Sequence, residues 1–314
     1  MNKKIKVGIL TLMVFLTVGC TKYVKDDDKR QVINETTGQT LTSNILCKPT
    51  TDDLLDVYKK YDDKLTTKLE DLPSCEDFKP TDIKYQSLWE SIFVKPLAWL
   101  ILKLGEIVKN YGLSVIIISL LIRIILIPLT KNTMAQSENM KKASKELNKL
   151  EQKYANRTDN EAMMQKSQEM MLIYRKYNIN PASSCLTSLI QLPLLFAFLE
   201  AINRVPAIFE GTLWNMNLGM TPSKALASGN YIYLILLVII AVSTFFSFKQ
   251  AMANQPQDGN SDMMRQTKTM TYIMMFMILM ASLSLPTALA LYWIVNNVFG
   301  IVQNFVMKKI KEAR

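Results

Sequence analysis

The sequence predicts an all-α membrane protein with five transmembrane helices, an external interfacial amphipathic helix and a cytoplasmic antiparallel helical hairpin. Three observations predict this class. The 314-residue chain is 49% hydrophobic, and its apolar residues are concentrated in blocks. Most of these blocks lie near the short end of the roughly 17 to 25 residues that cross a bilayer as a helix. Several segments between the blocks are basic, which predicts an orientation.

Residues 1–19 have the features of an export signal peptide. Three lysines precede an apolar run over 7–18, which is too short to span a bilayer of about 30 Å. Gly19 and Cys20 follow, and a small residue before a cysteine is typical of a lipoprotein cleavage site. We therefore expect Cys20 to become a lipidated first residue, carrying palmitate. The alternative is an ordinary signal peptide or a retained anchor.

Residues 20–83 form the predicted lipidated extracytoplasmic segment. Positions 21–83 hold 10 Lys or Arg against 14 Asp or Glu, so we expect a soluble and only partly ordered segment. Helical spacing over 52–72 predicts either a small helical hairpin or a single amphipathic helix. Cys47 and Cys75 lie where a disulfide is permitted, but the sequence leaves their pairing open. Cys185 begins an apolar block, which predicts a buried apolar role.

Residues 84–110 are predicted to form the interfacial helix. Trp89 and Trp99 lie among the apolar positions. Seven polar residues fall within one half of a helical wheel: Ser87, Ser91, Lys95, Lys103, Glu106, Lys109 and Asn110. Pro96 marks either a kink or the start of the helix. An extra membrane span is the less favoured alternative because charged residues such as Lys95, Lys103, Glu106 and Lys109 fall along this stretch.

The core, over 111–307, contains the five predicted spans, at 113–129, 186–202, 231–248, 270–285 and 288–305. The loop 131–182 holds 10 basic against 6 acidic residues, the loop 249–269 holds 3 against 2, and the tail 308–314 holds 4 against 1. By the positive-inside rule these segments are cytoplasmic, which places residues 20–83 outside the bacterial cell membrane. An odd number of spans agrees with termini on opposite sides.

Within the loop 131–182, apolar residues recur at helical spacing in two stretches, which predicts two helices packed along a narrow seam. The seam positions are Met140, Ala143, Leu147, Leu150 and Tyr154 in the first helix, and Met163, Met170, Tyr174 and Tyr177 in the second. Lysines cover the outer faces. Charge alone favours a solvated face that contacts anionic lipids, and the alternative is a docking surface for a ribosome or a nascent chain.

Arg123 lies inside one of the most apolar stretches of the chain. A central arginine costs roughly 2.5 to 3.5 kcal/mol on insertion scales, so such residues usually face a protein interior or a hydrated cavity. The expected partner is a carboxylate on a neighbouring span, yet the only acidic residue in the predicted spans is Glu200. This pattern favours hydration or a partner that arrives from outside. The long side chain could also snorkel to the inner surface.

The composition excludes several function classes. The chain has no histidine, which excludes histidine-based nucleophile activation, histidine general bases and histidine-containing zinc sites. It also has no GxxxxGK[ST] or GxGxxG string for nucleotide binding. We therefore predict no cofactor, no metal site, no specific nucleic-acid partner and no enzymatic activity.

Several segments of the chain resemble the YidC/Alb/Oxa family of membrane protein insertases in order and spacing over residues 87–307. The segments are 112–129 with Arg123 and Pro128, Tyr174-Arg-Lys-Tyr-Asn-Ile-Asn-Pro181, Gln191-Leu-Pro-Leu-Leu-Phe196, and Leu291-Tyr-Trp-Ile-Val-Asn-Asn297 with Gln303. The lipidated start and the five spans resemble the Gram-positive branch of the family, which lacks a large periplasmic domain.

The resemblance implies a hydrophilic groove that is open to the cytoplasm and to lipid, with Arg123 on its floor. The groove would receive the hydrophilic end of a nascent membrane protein, or of a lipoprotein, while the adjoining apolar segment enters the lipid along the third and fifth spans. Further groove positions are Ser119, Gln191, Ser247 and Trp293, although Gln191 fits an interhelical hydrogen bond equally well. Implied partners are the Sec translocon, the ribosome and membrane lipids.

The chain departs from the family pattern at three places. Ser247 stands where the family often has glutamine, the fourth span has no proline over 270–275, and Ala288 replaces the usual glycine. These departures affect local helix geometry.

Two other functions fit less well. A secondary transporter with Arg123 as an anion site would typically have repeated halves, interrupted helices and ionisable pairs. A structural lipoprotein scaffold would leave Arg123 without a purpose.

Overall fold

The structure is a computed structural model that describes residues 21–155, 157, 159–180, 193–253 and 262–312. The described chain is mostly helical and divides into two compact units. The first unit takes its described residues from 1–119, 192–238 and 282–293, and the second from 120–191, 239–281 and 294–314. The predictions for Cys20, Cys185 and Gln191 lie outside the described residues.

Residues 21–83 belong to the first unit and pack around an apolar core, in contrast to the partial order expected from their charge. Leu41, Leu46, Tyr58 and Phe78 are all at most 2% exposed. These apolar residues are widely spaced in the sequence, so composition alone underestimates the core that they form. The remaining backbone is paired through isolated bridges such as Tyr23 with Thr42 and Ile33 with Thr40.

One α-helix lies within this segment: α1, over Asp52–Lys59. Two acidic residues occupy its first turn and Lys59 occupies its last turn, an arrangement that suits the helix dipole. The helix is shorter than the periodic pattern over 52–72, because the chain then passes through two short 3₁₀ helices, Asp62–Lys64 and Leu69–Asp71. The observed structure of residues 52–72 is therefore closer to the predicted single amphipathic helix than to the predicted helical hairpin.

Cys47 and Cys75 form a disulfide with an S–S distance of 2.04 Å, which resolves the pairing that the sequence left open. The disulfide closes a loop between residues 28 positions apart. Both cysteines are buried, and the adjacent Lys48 amide donates to the Pro73 carbonyl at 2.9 Å. The link therefore ties the start of the loop to its end beside a backbone hydrogen bond.

The predicted interfacial helix comprises a π-helical turn, Glu90–Val94, followed by α2, Lys95–Val108. Pro96 is the second residue of α2 and cannot donate to a carbonyl of the preceding π-helical turn, so it lies where the π-helical turn changes to the α-helix. The predicted polar half of the helical wheel does not lie wholly in solvent. One of its residues, Lys95, is only 1% exposed and therefore faces the protein interior. The exposed face is apolar and includes Ile92, Phe93, Leu100 and Ile107.

The helix α3, Tyr111–Ile125, leads through a single turn residue into α4, Ile127–Tyr154. The Asn110 side chain caps α3 by accepting from the Leu113 amide at 3.0 Å. Pro128 lies in the first turn of α4 and cannot donate to a carbonyl of the preceding turn. The proline therefore interrupts the helix at Leu126.

A second helix, α5, Asn160–Lys176, packs against α4. Its seam includes Leu150, Tyr154 and Ala162. Ala162 is fully buried whereas Met163 is 62% exposed, so the prediction of Met163 as a seam residue is wrong. The small alanine side chain allows the two helices to approach closely at this position. Hydrogen bonds from Lys153 and Tyr154 to the Glu169 carboxylate hold the pKa of that carboxyl below its usual value.

Residues 193–230 also belong to the first unit and form short elements. They are α6, Pro193–Asn203; α7, Pro206–Glu210; a hairpin of β1, Thr212–Leu213, and β2, Met216–Asn217; and α8, Pro222–Ala227. The hairpin turn, Trp214 and Asn215, has φ angles of 48° and 64°, as a two-residue hairpin turn requires. The Thr221 amide donates to the Thr37 carbonyl at 2.9 Å, which joins this region to residues 21–83.

Three long helices follow: α9, Ile232–Ala253; α10, Asp262–Ser284; and α11, Thr287–Glu312. Among the described residues, two stretches are long and apolar enough to cross a membrane, Ile232–Met252 and Thr287–Ile310. Shorter apolar helices are Tyr111–Ile125, Pro193–Asn203 and Lys268–Ser284. Large apolar side chains such as Ile235, Phe276 and Phe305 are more than half exposed, as on lipid-facing helices. The structure thus supports a membrane location, while the count of five spans stays a prediction.

Candidate functional site

Four side-chain amides lie on the part of α11 that belongs to the second unit: Asn296, Asn297, Gln303 and Asn304. Residues seven positions apart are separated by almost two complete helical turns and therefore lie on the same face. Asn296 and Gln303 form one row, and Asn297 and Asn304 form a second row beside it. We call these four residues the amide rows.

The first row contacts α3 and α4. The Asn296 Oδ1 accepts a hydrogen bond from the Arg123 Nε at 2.5 Å, and the Gln303 Nε2 donates to the Thr130 Oγ1 at 2.8 Å. Arg123 and Thr130 are also seven positions apart, so the polar groups on both sides of this contact have the same spacing. Arg123 is half-buried in the last turn of α3.

The second row contacts α9. The Asn297 Nδ2 donates to the Thr244 Oγ1 at 2.9 Å, and the Asn304 Nδ2 donates to the Gln250 Oε1 at 3.0 Å. Thr244 is fully buried. Because residues four apart share a helix face, Ser247 lies on the same side of α9 as the buried Ser243. Within the second unit, the predicted groove residues Arg123 and Ser247 thus both belong to helices that the amide rows contact.

The other predicted groove residues have different surroundings. Ser119 lies in the first unit, is 1% exposed, and donates its hydroxyl to the Val115 carbonyl of its own helix at 2.6 Å. Trp293, also in the first unit, is half-buried, and its indole Nε1 is buried without a hydrogen-bond partner among the described residues. Gln191 lies outside the described residues. All five groove roles stay predictions.

Sequence reasoning did not assign Asn296, Asn297, Thr244 or Asn304 to the site. Their signal in the sequence is the repeat of amides at a spacing of seven within an apolar helix, since the same face then presents a polar group every two turns. The partners on α9 and α4 could not be assigned from this repeat. The contact between Arg123 and Asn296 joins residues 173 positions apart, far beyond any local pattern.

The first unit contains a second polar cluster, which is fully internal. It consists of Glu90, Lys95, Glu200 and Arg204, whose side chains are 1% to 9% exposed. The Glu90 Oε1 lies 3.3 Å from the Lys95 Nζ and 3.2 Å from an Arg204 Nη atom. Glu200 lies 3.9 Å from Arg204 and accepts from the Trp89 indole at 3.0 Å. We call these four charged residues the ionic cluster.

The ionic cluster connects three segments of the first unit. The Arg204 Nε donates to the Asn44 carbonyl at 2.7 Å, and the Lys95 Nζ donates to the Ile83 carbonyl at 2.8 Å. Residues 21–83, the start of α2 and the end of α6 therefore meet at these charges. The two carboxylates balance the two cations, as buried charges require. Glu200, the one acidic residue of the predicted spans, thus serves a structural cluster in the first unit.

The chain also matches known proteins in sequence. The model of the family described as 60Kd inner membrane protein matches residues 103–314. Membrane protein insertase YidC 2 of Bacillus anthracis is 35% identical over 231 residues, which cover 73% of this chain and 85% of that protein. Membrane protein insertase MisCA of Bacillus subtilis is 34% identical over 239 residues, covering 76% of this chain and 86% of the relative.

A third relative matches this chain over nearly the full length of that relative. Membrane protein insertase YidC of Oceanobacillus iheyensis is 31% identical over 246 residues, which cover 77% of this chain and 93% of that protein. The family match begins at residue 103, so it includes α3, α9, α11 and Arg123 with the amide rows. The chain therefore belongs to the YidC/Alb/Oxa family of membrane protein insertases.

Proposed function

We propose that this chain inserts client proteins into the membrane by receiving the hydrophilic end of a client beside Arg123, while the adjoining apolar segment of the client passes into lipid. The observation that carries this proposal is a half-buried guanidinium beside the amide rows, on helices whose other faces expose apolar side chains. Such a region offers polar contacts to the client without a continuous apolar barrier.

The positive charge of Arg123 predicts that the site prefers clients with an acidic end. A hydrogen bond between a guanidinium and a carboxylate contributes about 1.5 to 3 kcal/mol, so acidic residues near the client end would be held at this site. A membrane potential that is positive outside then draws the acidic end outward, with about 2.3 kcal/mol per charge for each 100 mV. Hydrophobic transfer of the client supplies the rest of the driving force, and no bond is broken.

Ser247 extends the proposed groove along α9. Its position on the face of the buried Ser243 and Thr244 supports this assignment. Ser119, Gln191 and Trp293 join the groove on the strength of the family resemblance. A serine in place of glutamine at position 247 would leave a hydroxyl, but no amide, for the client end.

The proposed orientation places residues 20–83 outside and the tail 308–314 in the cytoplasm, with five spans between them. The excess of Lys and Arg in the loops 131–182 and 249–269 supports it. The disulfide between Cys47 and Cys75 also supports it, because disulfides persist in oxidising compartments outside the cytoplasm. On this proposal Cys20 carries the lipid anchor at the outer surface.

The proposed cytoplasmic partners would meet α4 and α5. Exposed lysines on α4, Lys141, Lys142, Lys145 and Lys149, provide a basic surface for a ribosome, a nascent chain or anionic lipids. We propose that clients arrive there either directly or through the Sec translocon.

Purified protein in sealed lipid vesicles, with two versions of one short client, tests the role of Arg123. One version carries two acidic residues in the translocated end and the other carries none. In Arg123→Ala, insertion of the acidic client should fall about tenfold relative to the neutral client, which corresponds to the loss of about 1.4 kcal/mol. Arg123→Lys should retain part of the preference, because lysine keeps the charge but lacks the planar donor fork.

Lys249→Ala is the matched control, since it removes one exposed positive charge from the second unit. It should insert both clients as the wild type does. An unchanged client ratio in Arg123→Ala would refute the electrostatic role. Solute uptake by the same vesicles, abolished by Arg123→Ala, would instead support the transporter alternative.

A further inference from the structure

The position of Arg123 poses a problem of orientation. The residue lies in the last turn of α3, only three positions before the turn at Leu126. An arginine has a long flexible stem and can move its charged head toward the nearest polar phase. An arginine that moved in this way would not meet a client at a defined place. The site therefore needs a group that holds the guanidinium.

Asn296 has the geometry for this task. Its Oδ1 accepts from the Nε of Arg123, the guanidinium nitrogen that is attached to the stem. A hydrogen bond at this nitrogen limits rotation of the planar group and so fixes the direction of its remaining donors. We propose that Asn296 is the positioning residue for Arg123, an inference that rests on the client-binding role proposed above.

The position of Asn296 is itself fixed by its neighbours in the amide rows. Gln303, two turns further along α11, bonds to Thr130 of α4, while Asn297 bonds to Thr244 of α9. These contacts hold α11 on two sides within the second unit. The amide of Asn296 therefore lies on a helix that is bonded to two neighbouring helices, and it can determine where the guanidinium lies.

The chemical nature of the side chain matters as much as its position. An amide oxygen accepts the hydrogen bond but carries no charge, so it orients the guanidinium without neutralising it. A carboxylate in the same place would accept the same bond and also compete with the acidic residues of a client. Replacing Asn296 by aspartate therefore changes the charge beside Arg123 while it keeps the size of the side chain that packs between the helices.

The test uses the same vesicles and the same acidic and neutral clients. Asn296→Asp should lower the acidic-to-neutral insertion ratio about tenfold, as Arg123→Ala does, because the new carboxylate occupies the guanidinium. Asn296→Ala should lower the ratio about threefold, since the charge remains but its orientation is lost. Both variants should insert the neutral client at the wild-type rate.

Lys249→Ala is again the control, because it changes one exposed side chain of α9 in the second unit. It should leave the client ratio unchanged. The inference is overturned if Asn296→Asp keeps the wild-type ratio, or if it lowers insertion of both clients equally, as a purely structural residue would. If Arg123→Ala itself leaves the ratio unchanged, the proposed function fails, and that result is distinct from a failure of Asn296 alone.

Discussion

Arg204 and Arg123 show how differently the two compact units treat a positive charge. Arg204 in the first unit is 1% exposed and lies within 4 Å of two carboxylates, those of Glu90 and Glu200. Arg123 in the second unit is half-buried and hydrogen-bonds to the neutral amide of Asn296. The guanidinium of Arg204 thus contacts two carboxylates, whereas the guanidinium of Arg123 contacts a neutral amide that can orient it.

The difference separates a structural from a functional use of arginine. A charge that is neutralised inside the protein stabilises the fold only while its partners stay in place. A charge that is oriented by an amide keeps its attraction for an anion that arrives from outside. Apolar surroundings alone, which the two residues share, do not tell these uses apart.

The largest effect is expected from Arg204→Ala. The change would leave the Glu90 and Glu200 carboxylates buried without their cation, and breaking a buried ion pair in this way costs about 3 to 5 kcal/mol. Thermal unfolding of the purified protein in detergent should show a much lower midpoint. Arg123→Ala should lower the midpoint far less, because it removes a half-buried side chain and leaves the ion pairs of the ionic cluster in place.

A charge-free version of the ionic cluster is the control for this comparison. Arg204→Met and Lys95→Met combined with Glu90→Gln and Glu200→Gln should recover much of the stability, because no charge of the ionic cluster is then left buried and unpaired. Equal midpoints for Arg204→Ala and Arg123→Ala would contradict the distinction between the two arginines.

A smaller effect is expected from the disulfide of the first unit. Replacing both Cys47 and Cys75 by serine opens a loop between residues 28 positions apart, which should cost about 2 to 4 kcal/mol. Hydrogen exchange should become faster for backbone amides of residues 21–83, while α4 and α5 of the second unit keep their protection. If the backbone amides of α4 and α5 lost as much protection from hydrogen exchange as those of residues 21–83, the two units would not respond separately to loss of the disulfide.

Local patterns in the sequence predict much of this architecture. Helical periodicity identifies Leu150 and Tyr154 as seam residues, and apolar blocks identify α9 and α11 as helices that are long and apolar enough to cross a membrane. The cost of an arginine in an apolar segment identifies Arg123 as a candidate site. Each of these inferences depends on residues that are close together in the chain.

The features that escaped prediction depend on contacts between distant residues. The bond from Trp89 to Glu200 joins residues 111 positions apart, and no local pattern reveals that Lys95 turns inward to the same cluster. The exposed position of Met163 follows from the close approach of the helices at Ala162, which spacing alone does not specify. Tertiary packing therefore decides which polar residues are structural.

The central claim is that the positive charge of Arg123 receives the acidic end of a client. The most direct measurement is insertion by Arg123→Glu of two clients that differ only in an acidic or a basic translocated end, in vesicles without a membrane potential. We expect this variant to reverse the preference of the wild type for the acidic client. An unchanged preference for the acidic client would contradict it.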